Sequence, residues 1–96
     1  MEKPIHEGHR ERVRQKYLKA NGEDFFTHEL LELLLFYALP RKDTNALAHA
    51  LLDKFGSLSG LLEASPKEIA SVDGISVNIG ILLTLQRELN KRYIDL

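Results

Sequence analysis

The 96-residue chain contains no cysteine. That absence excludes a disulfide framework, a thiolate metal site and a cysteine nucleophile, and it makes the cytosol the expected compartment. Long apolar runs are missing too. The most hydrophobic stretch, Leu30-Leu31-Glu32-Leu33-Leu34-Leu35-Phe36-Tyr37-Ala38-Leu39, is ended by Pro40, well short of the roughly 18 residues a membrane-spanning helix needs. The first eight residues hold no apolar segment of the secretory-signal kind. No stretch alternates polar and apolar residues as a half-buried strand does. The chain also lacks a strong charge of either sign: its formal net charge of −1 argues against a protein that coats nucleic acid through overall charge.

What is present is helical patterning, and the expected fold is all-α, a compact bundle of five to six helices. Residues 1–8, polar and punctuated by Pro4 and Gly8, read as a flexible N-terminal arm ahead of one helical domain over residues 9–96. The Leu-rich run predicts a core helix over residues 28–39, apolar on every side apart from Glu32. Thr27 is its expected N-cap, Glu29 lies in its first turn, and Phe26 is expected to staple onto Leu31. The preceding helix, over residues 9–20, sets five cations around Val13, Tyr17 and Leu18. A 3.6-residue period gives Val13 and Tyr17 a docking stripe with Leu18 beside it, puts Arg10 and Arg14 on another face, and groups Arg12, Lys16 and Lys19 on a third. Asn21-Gly22 closes this helix.

After the core helix, Pro40-Arg41-Lys42-Asp43 forms a polar turn in which Asp43 caps a helix reaching Phe55. Its expected buried stripe is Leu47, Ala48, Leu51, Leu52 and Phe55, with Gly56 as C-cap. Ser57 opens a short helix. Ser65-Pro66-Lys67-Glu68 combines a capping box with proline at the first helical position, and that brief helix ends near residue 71. A final helix runs over residues 77–93, apolar in its first half. Gly80 inside it costs about 1 kcal/mol relative to Ala, which points to close approach by another backbone.

Charge is uneven along the chain. Residues 1–22 carry six Lys or Arg against three Glu, whereas residues 23–39 carry four acids and no Lys or Arg. Any cationic surface is therefore local. The basic helix suits either a solvated surface or one that contacts phosphates. Arg41 and Lys42 precede a helix N-terminus, where backbone N–H groups and the dipole favour an anion; the same turn also reads as one whose charges keep it soluble. Chemistry finds little to use. His28-Glu29-Leu30-Leu31-Glu32 opens like a zincin motif but ends in Glu, so the second imidazole is missing. His6 and His9 form a lone pair near the terminus, and Glu29 and Glu32 read as ordinary helix-surface acids. No catalytic residue, metal ligand or cofactor is expected, and the chain is read as non-enzymatic.

One motif remains. Val72-Asp73-Gly74-Ile75-Ser76, followed by Gly80, closely resembles the turn of a helix-hairpin-helix element, in which N–H groups at the start of the second helix face a DNA phosphate. Ser76 stands where that pattern has its second glycine, and Val77 and Asn78 stand where a Lys or Arg is common. A hairpin kept only for packing is the alternative. Setting Leu39, Asp43 and Asn45 over Val72, Ser76 and Asn78 reveals a faint repeat, so two hairpins are expected, over residues 28–55 and 57–93. Arg41 and Lys42 would supply to the first the cations that the second lacks.

Taken together, Gly8-His9-Arg10-Glu11-Arg12, the run from His28 to Leu35, the stretch Tyr37-Ala38-Leu39-Pro40-Arg41-Lys42-Asp43-Thr44-Asn45, Phe55-Gly56-Ser57-Leu58 and Val72-Asp73-Gly74-Ile75 resemble the N-terminal domain of the RadC family of bacterial proteins, historically labelled DNA repair. The resemblance covers nearly the whole chain. It implies a DNA-binding module without catalysis, continued in family members by a JAB-like domain that holds the metal site. The expected phosphate contacts are Arg10, Arg12, Arg14, Lys16, Arg41, Lys42, Gly74, Ser76 and Asn78. Expected partners are DNA, including branched forms, and the JAB-like domain. The competing reading is a protein-docking or interdomain module with architectural hairpins. No membrane partner is expected.

Overall fold

Local signals at the helix ends decide where this chain turns. The computed structural model describes residues 7–95, and among them lie six helices and no strand: α1 Glu7–Ala20, α2 Thr27–Ala38, α3 Thr44–Phe55, α4 Leu58–Glu63, α5 Pro66–Ile69 and α6 Val77–Ile94. The fold is all-α, as expected. It divides into two compact units, Met1–Ala48 and His49–Leu96, with the division inside α3.

In the first unit α1 packs on α2. α1 starts at Glu7, so Gly8 is helical rather than the end of the arm; the rest of the arm, His6 included, lies outside the described residues. Asn21 and Gly22 end α1 with positive φ values of 53° and 87°, the left-handed pair expected of a helix stop. Leu31, Leu33, Leu35 and Phe36 of α2 are buried, as are Thr44 and Ala48 from the start of α3. Each fully buried Leu or Phe contributes about 1.5–3 kcal/mol relative to an exposed one.

The start of α2 differs from the expectation. The N-cap is Phe26, not Thr27, because the Glu29 carboxylate reaches back and accepts the Phe26 N–H at 2.8 Å. Thr27 becomes the first helical residue. The Phe26 ring is 71% exposed, so it makes no staple on Leu31. Nor is α2 apolar all round: Glu32 is only 3% exposed, with its carboxylate 3.3 Å from His9 Nε2, while Tyr37 is 73% exposed and Leu30 also faces water. The acid amid the leucines is inside and an aromatic is outside. The same pairing turns α1. Its half-buried face is marked by His9, Arg10, Val13 and Arg14, whereas Tyr17 and Leu18 of the expected docking stripe are exposed. Polar pairing, not the apolar stripe, orients the helix.

The second unit holds the remainder of α3 with α4, α5 and α6. The expected caps are in place. Gly56 donates its N–H to Leu52 O at 2.8 Å, Ser57 Oγ accepts from Gly60 N at 3.0 Å, and Ser65 and Glu68 exchange bonds of 3.1 and 2.9 Å. Both α4 and α5 pack on α6, and Leu51, Leu61, Ile69, Val72, Ile75, Ile79 and Leu83 are buried. Gly80 has the role its position suggested. A Cβ there would lie 2.5 Å from Pro66 O and 2.7 Å from Pro66 Cα, so only a bare backbone lets α5 begin against α6. Val77, Ile81, Leu85 and Leu89 are exposed, so the apolar half of α6 is buried on one side only.

Candidate nucleic-acid interface

The sequence-predicted residues fall at two turns and along one helix. In the first turn Lys42 N bonds Leu39 O at 3.3 Å, and Asp43 Oδ1 accepts Ala46 N at 3.1 Å, so Asp43 caps α3 as expected. Arg41 and Lys42 are exposed immediately before that cap. What fixes the turn is a residue from α1. The Arg10 guanidinium donates to Phe36 O at 3.2 Å, to Leu39 O at 2.9 Å and to Lys42 O at 2.8 Å, and lies 4.7 Å over the Phe36 ring. Phe36 O belongs to the last turn of α2, which leaves its carbonyls without helical partners, and Leu39 O and Lys42 O belong to the turn that follows. Arg10, expected to contact phosphate, is thus engaged internally as a clamp on the turn. Periodicity gave no sign of this, since it sets Arg10 beside Arg14 and the carbonyls it meets lie 26 to 32 residues away in sequence.

The second turn is built from its own backbone and one serine. Ile75 N bonds Val72 O at 3.1 Å, Gly74 adopts φ 87°, and Ser76 Oγ accepts Ile79 N at 3.3 Å as the N-cap of α6. The left-handed φ at residue 74 is what makes glycine the fitting residue there. The Ser76 lone pair serves the helix, leaving its proton to donate. Val77 and Asn78, both exposed, begin α6, and their N–H groups precede the first intrahelical bond.

Along α1 the remaining cations differ in availability. Arg14 pairs with Glu11 at 3.2 Å, and Lys16 approaches Glu29 at 3.6 Å with its ammonium 4.5 Å over the Phe25 ring. Hydrogen bonds from Gln15 and then Arg14 lower the Glu11 pKa; the Phe26 N–H, followed by Lys16, does the same for Glu29. Arg12, Lys19, Arg41 and Lys42 are exposed and have no side-chain partner among the described residues. A shallow groove of about 590 Å³ runs along this helix, with Arg12, Lys16, Lys19, Glu11 and Asp24 in its lining. The arrangement can hold a polyanion at several points. Among the described residues, no three His, Asp or Glu side chains are placed to hold a metal, and no helix is long and apolar enough to cross a membrane.

The chain is 39% identical over 105 residues to a UPF0758 protein of Fusobacterium nucleatum subsp. nucleatum, an alignment that takes in 99% of this chain and 45% of that protein. It is similar to a UPF0758 protein. The match runs the length of the chain, so both turns and the basic helix lie within it, and the chain spans less than half the length of this curated relative. No family model matches the chain, and no solved structure matches it.

Proposed function

We propose that the chain is a non-catalytic, sequence-nonspecific DNA-binding module of a RadC-like protein, and that it grips phosphates rather than bases. The observation that carries this reading is the Arg10 clamp. A guanidinium bonded to one carbonyl at the end of α2 and two of the turn after it holds Arg41 and Lys42 exposed beside a helix start, an arrangement with more use at a polyanion than in a core. Arg12, Lys16 and Arg14 of α1 add positive charge, and the N–H groups of Val77 and Asn78 supply neutral donors at the second turn. Ser76 contributes its hydroxyl proton and Gly74 the space for close approach.

Fluorescence anisotropy against duplex, single-stranded and branched DNA at several salt concentrations tests this. Affinity is expected to fall steeply with salt and to change little with sequence. Replacing Arg41 and Lys42 together by Ala should lower the salt slope by about 2. An unchanged slope removes the first turn from the interface.

A second reading has its own support. Val77, Ile81, Leu85 and Leu89 follow one another at four-residue steps and are exposed along α6, as a helix awaiting a protein partner would display them. That partner would be the JAB-like domain the RadC resemblance implies. Absence of DNA binding at low salt would leave this docking role as the function.

A further inference from the structure

The Phe26 ring, 71% exposed, adds nothing to the core, yet its surroundings hold it in place. Its N–H is bonded to the Glu29 carboxylate, and that carboxylate is 3.6 Å from Lys16 Nζ. Its ring lies stacked with the His28 ring, centroids 5.8 Å apart and planes inclined by 9°. Two nearly parallel aromatic rings therefore flank the Glu29 carboxylate that meets Lys16 of α1, and the groove that carries Arg12, Lys16 and Lys19 reaches Asp24, two residues from Phe26. A flat aromatic face next to a row of cations is what single-stranded nucleic acid needs, since every base offers a π-face and every linkage a phosphate.

We propose that Phe26 and His28 form a stacking platform for an unpaired DNA base, with the flanking phosphates along Arg12 and Lys19. The proposal rests on the DNA-binding reading and makes it selective. Bases inside a duplex already have both faces covered by their neighbours, so the platform can be used only by single strands, ends and branch points. Preference for unpaired DNA then comes from two rings at the start of α2, not from the hairpin turns.

The chain has no tryptophan, so Phe26→Trp places a single reporter in the platform. Titration of that variant with oligothymidylate is expected to quench its fluorescence in parallel with the anisotropy curve. Phe26→Ala should weaken oligothymidylate binding about fivefold or more while leaving duplex affinity and the circular dichroism spectrum unchanged, and His28→Ala should shift binding the same way by less. Oligothymidylate that binds the Trp variant without quenching it overturns the platform and leaves the DNA reading intact. An equal loss of duplex and single-strand binding in Phe26→Ala overturns it too. If neither DNA binds the unmodified chain at low salt, the DNA reading itself fails and the platform with it.

Discussion

Asp43 and Ser76 occupy similar places, each capping the helix that follows a turn through a bond to a backbone N–H three residues on. Around them almost everything differs. The first turn has two exposed cations, a clamp from another helix and an anionic cap. The second has Gly74, a neutral cap and no cation within it. A helix N-terminus attracts an anion only as far as its cap leaves its positive end unfilled. The Asp43 carboxylate already sits on the α3 end, so on the proposed DNA-binding reading phosphate affinity there would come from Arg41 and Lys42 and be salt-sensitive. At α6 the cap is the neutral hydroxyl of Ser76, and on the same reading the N–H groups of Val77 and Asn78 would act with little dependence on side-chain charge.

The largest effect that separates the turns is expected at Arg10, which has no counterpart in the second. Arg10→Ala should cost about 3 kcal/mol in urea unfolding, because three carbonyls lose a charged donor. Arg10→Lys should recover less than half of it, an ammonium being unable to present the same fork. A loss below about 0.5 kcal/mol would mean that the first turn holds itself. Exchanging the caps comes next. Asp43→Ser should strengthen DNA binding and Ser76→Asp should weaken it, each by about 0.3–1 kcal/mol, with little change in stability because Asp and Ser are comparable caps. Equal responses in the two variants would erase the distinction.

The smallest effect is a pH dependence that compares the two units. Glu29 in the first and Glu68 in the second each accept a backbone N–H, from Phe26 and Ser65 respectively, and that bond is the main reason each pKa lies below the ordinary 4.5. A folded-state pKa below the unfolded value contributes stability that is complete above 4.5 and lost as pH falls through the lowered value. Thermal midpoints should therefore drop on acidification below that point. Glu29→Gln and Glu68→Gln should each flatten the drop, and an unflattened curve would show that the cap is not what the acid titrates.

What could be read from the residues alone was local. Asp43, Ser57, Ser65 and Gly56 all act within four positions of themselves, and each cap was legible. Phe26 was not, because Thr27 looked the better cap and only the reach of Glu29 moved the start by one residue. Arg10 and Glu32 were misassigned for the opposite reason: their partners lie 23 to 32 residues away, beyond any periodicity. A basic helix announces its charge. It does not announce which cation will turn inward.

Glu32 has one more consequence. α2 offers leucine on nearly every side, and a neighbour rotated or shifted by one turn would still meet leucine there, so apolar contact alone distinguishes poorly between alignments. A buried carboxylate removes that indifference. Moved away from His9, it would be a buried polar group without a partner, which costs about 1–3 kcal/mol. The Glu32–His9 pair thus works as an address, rejecting the wrong alignments of α1 on α2 more than it rewards the right one.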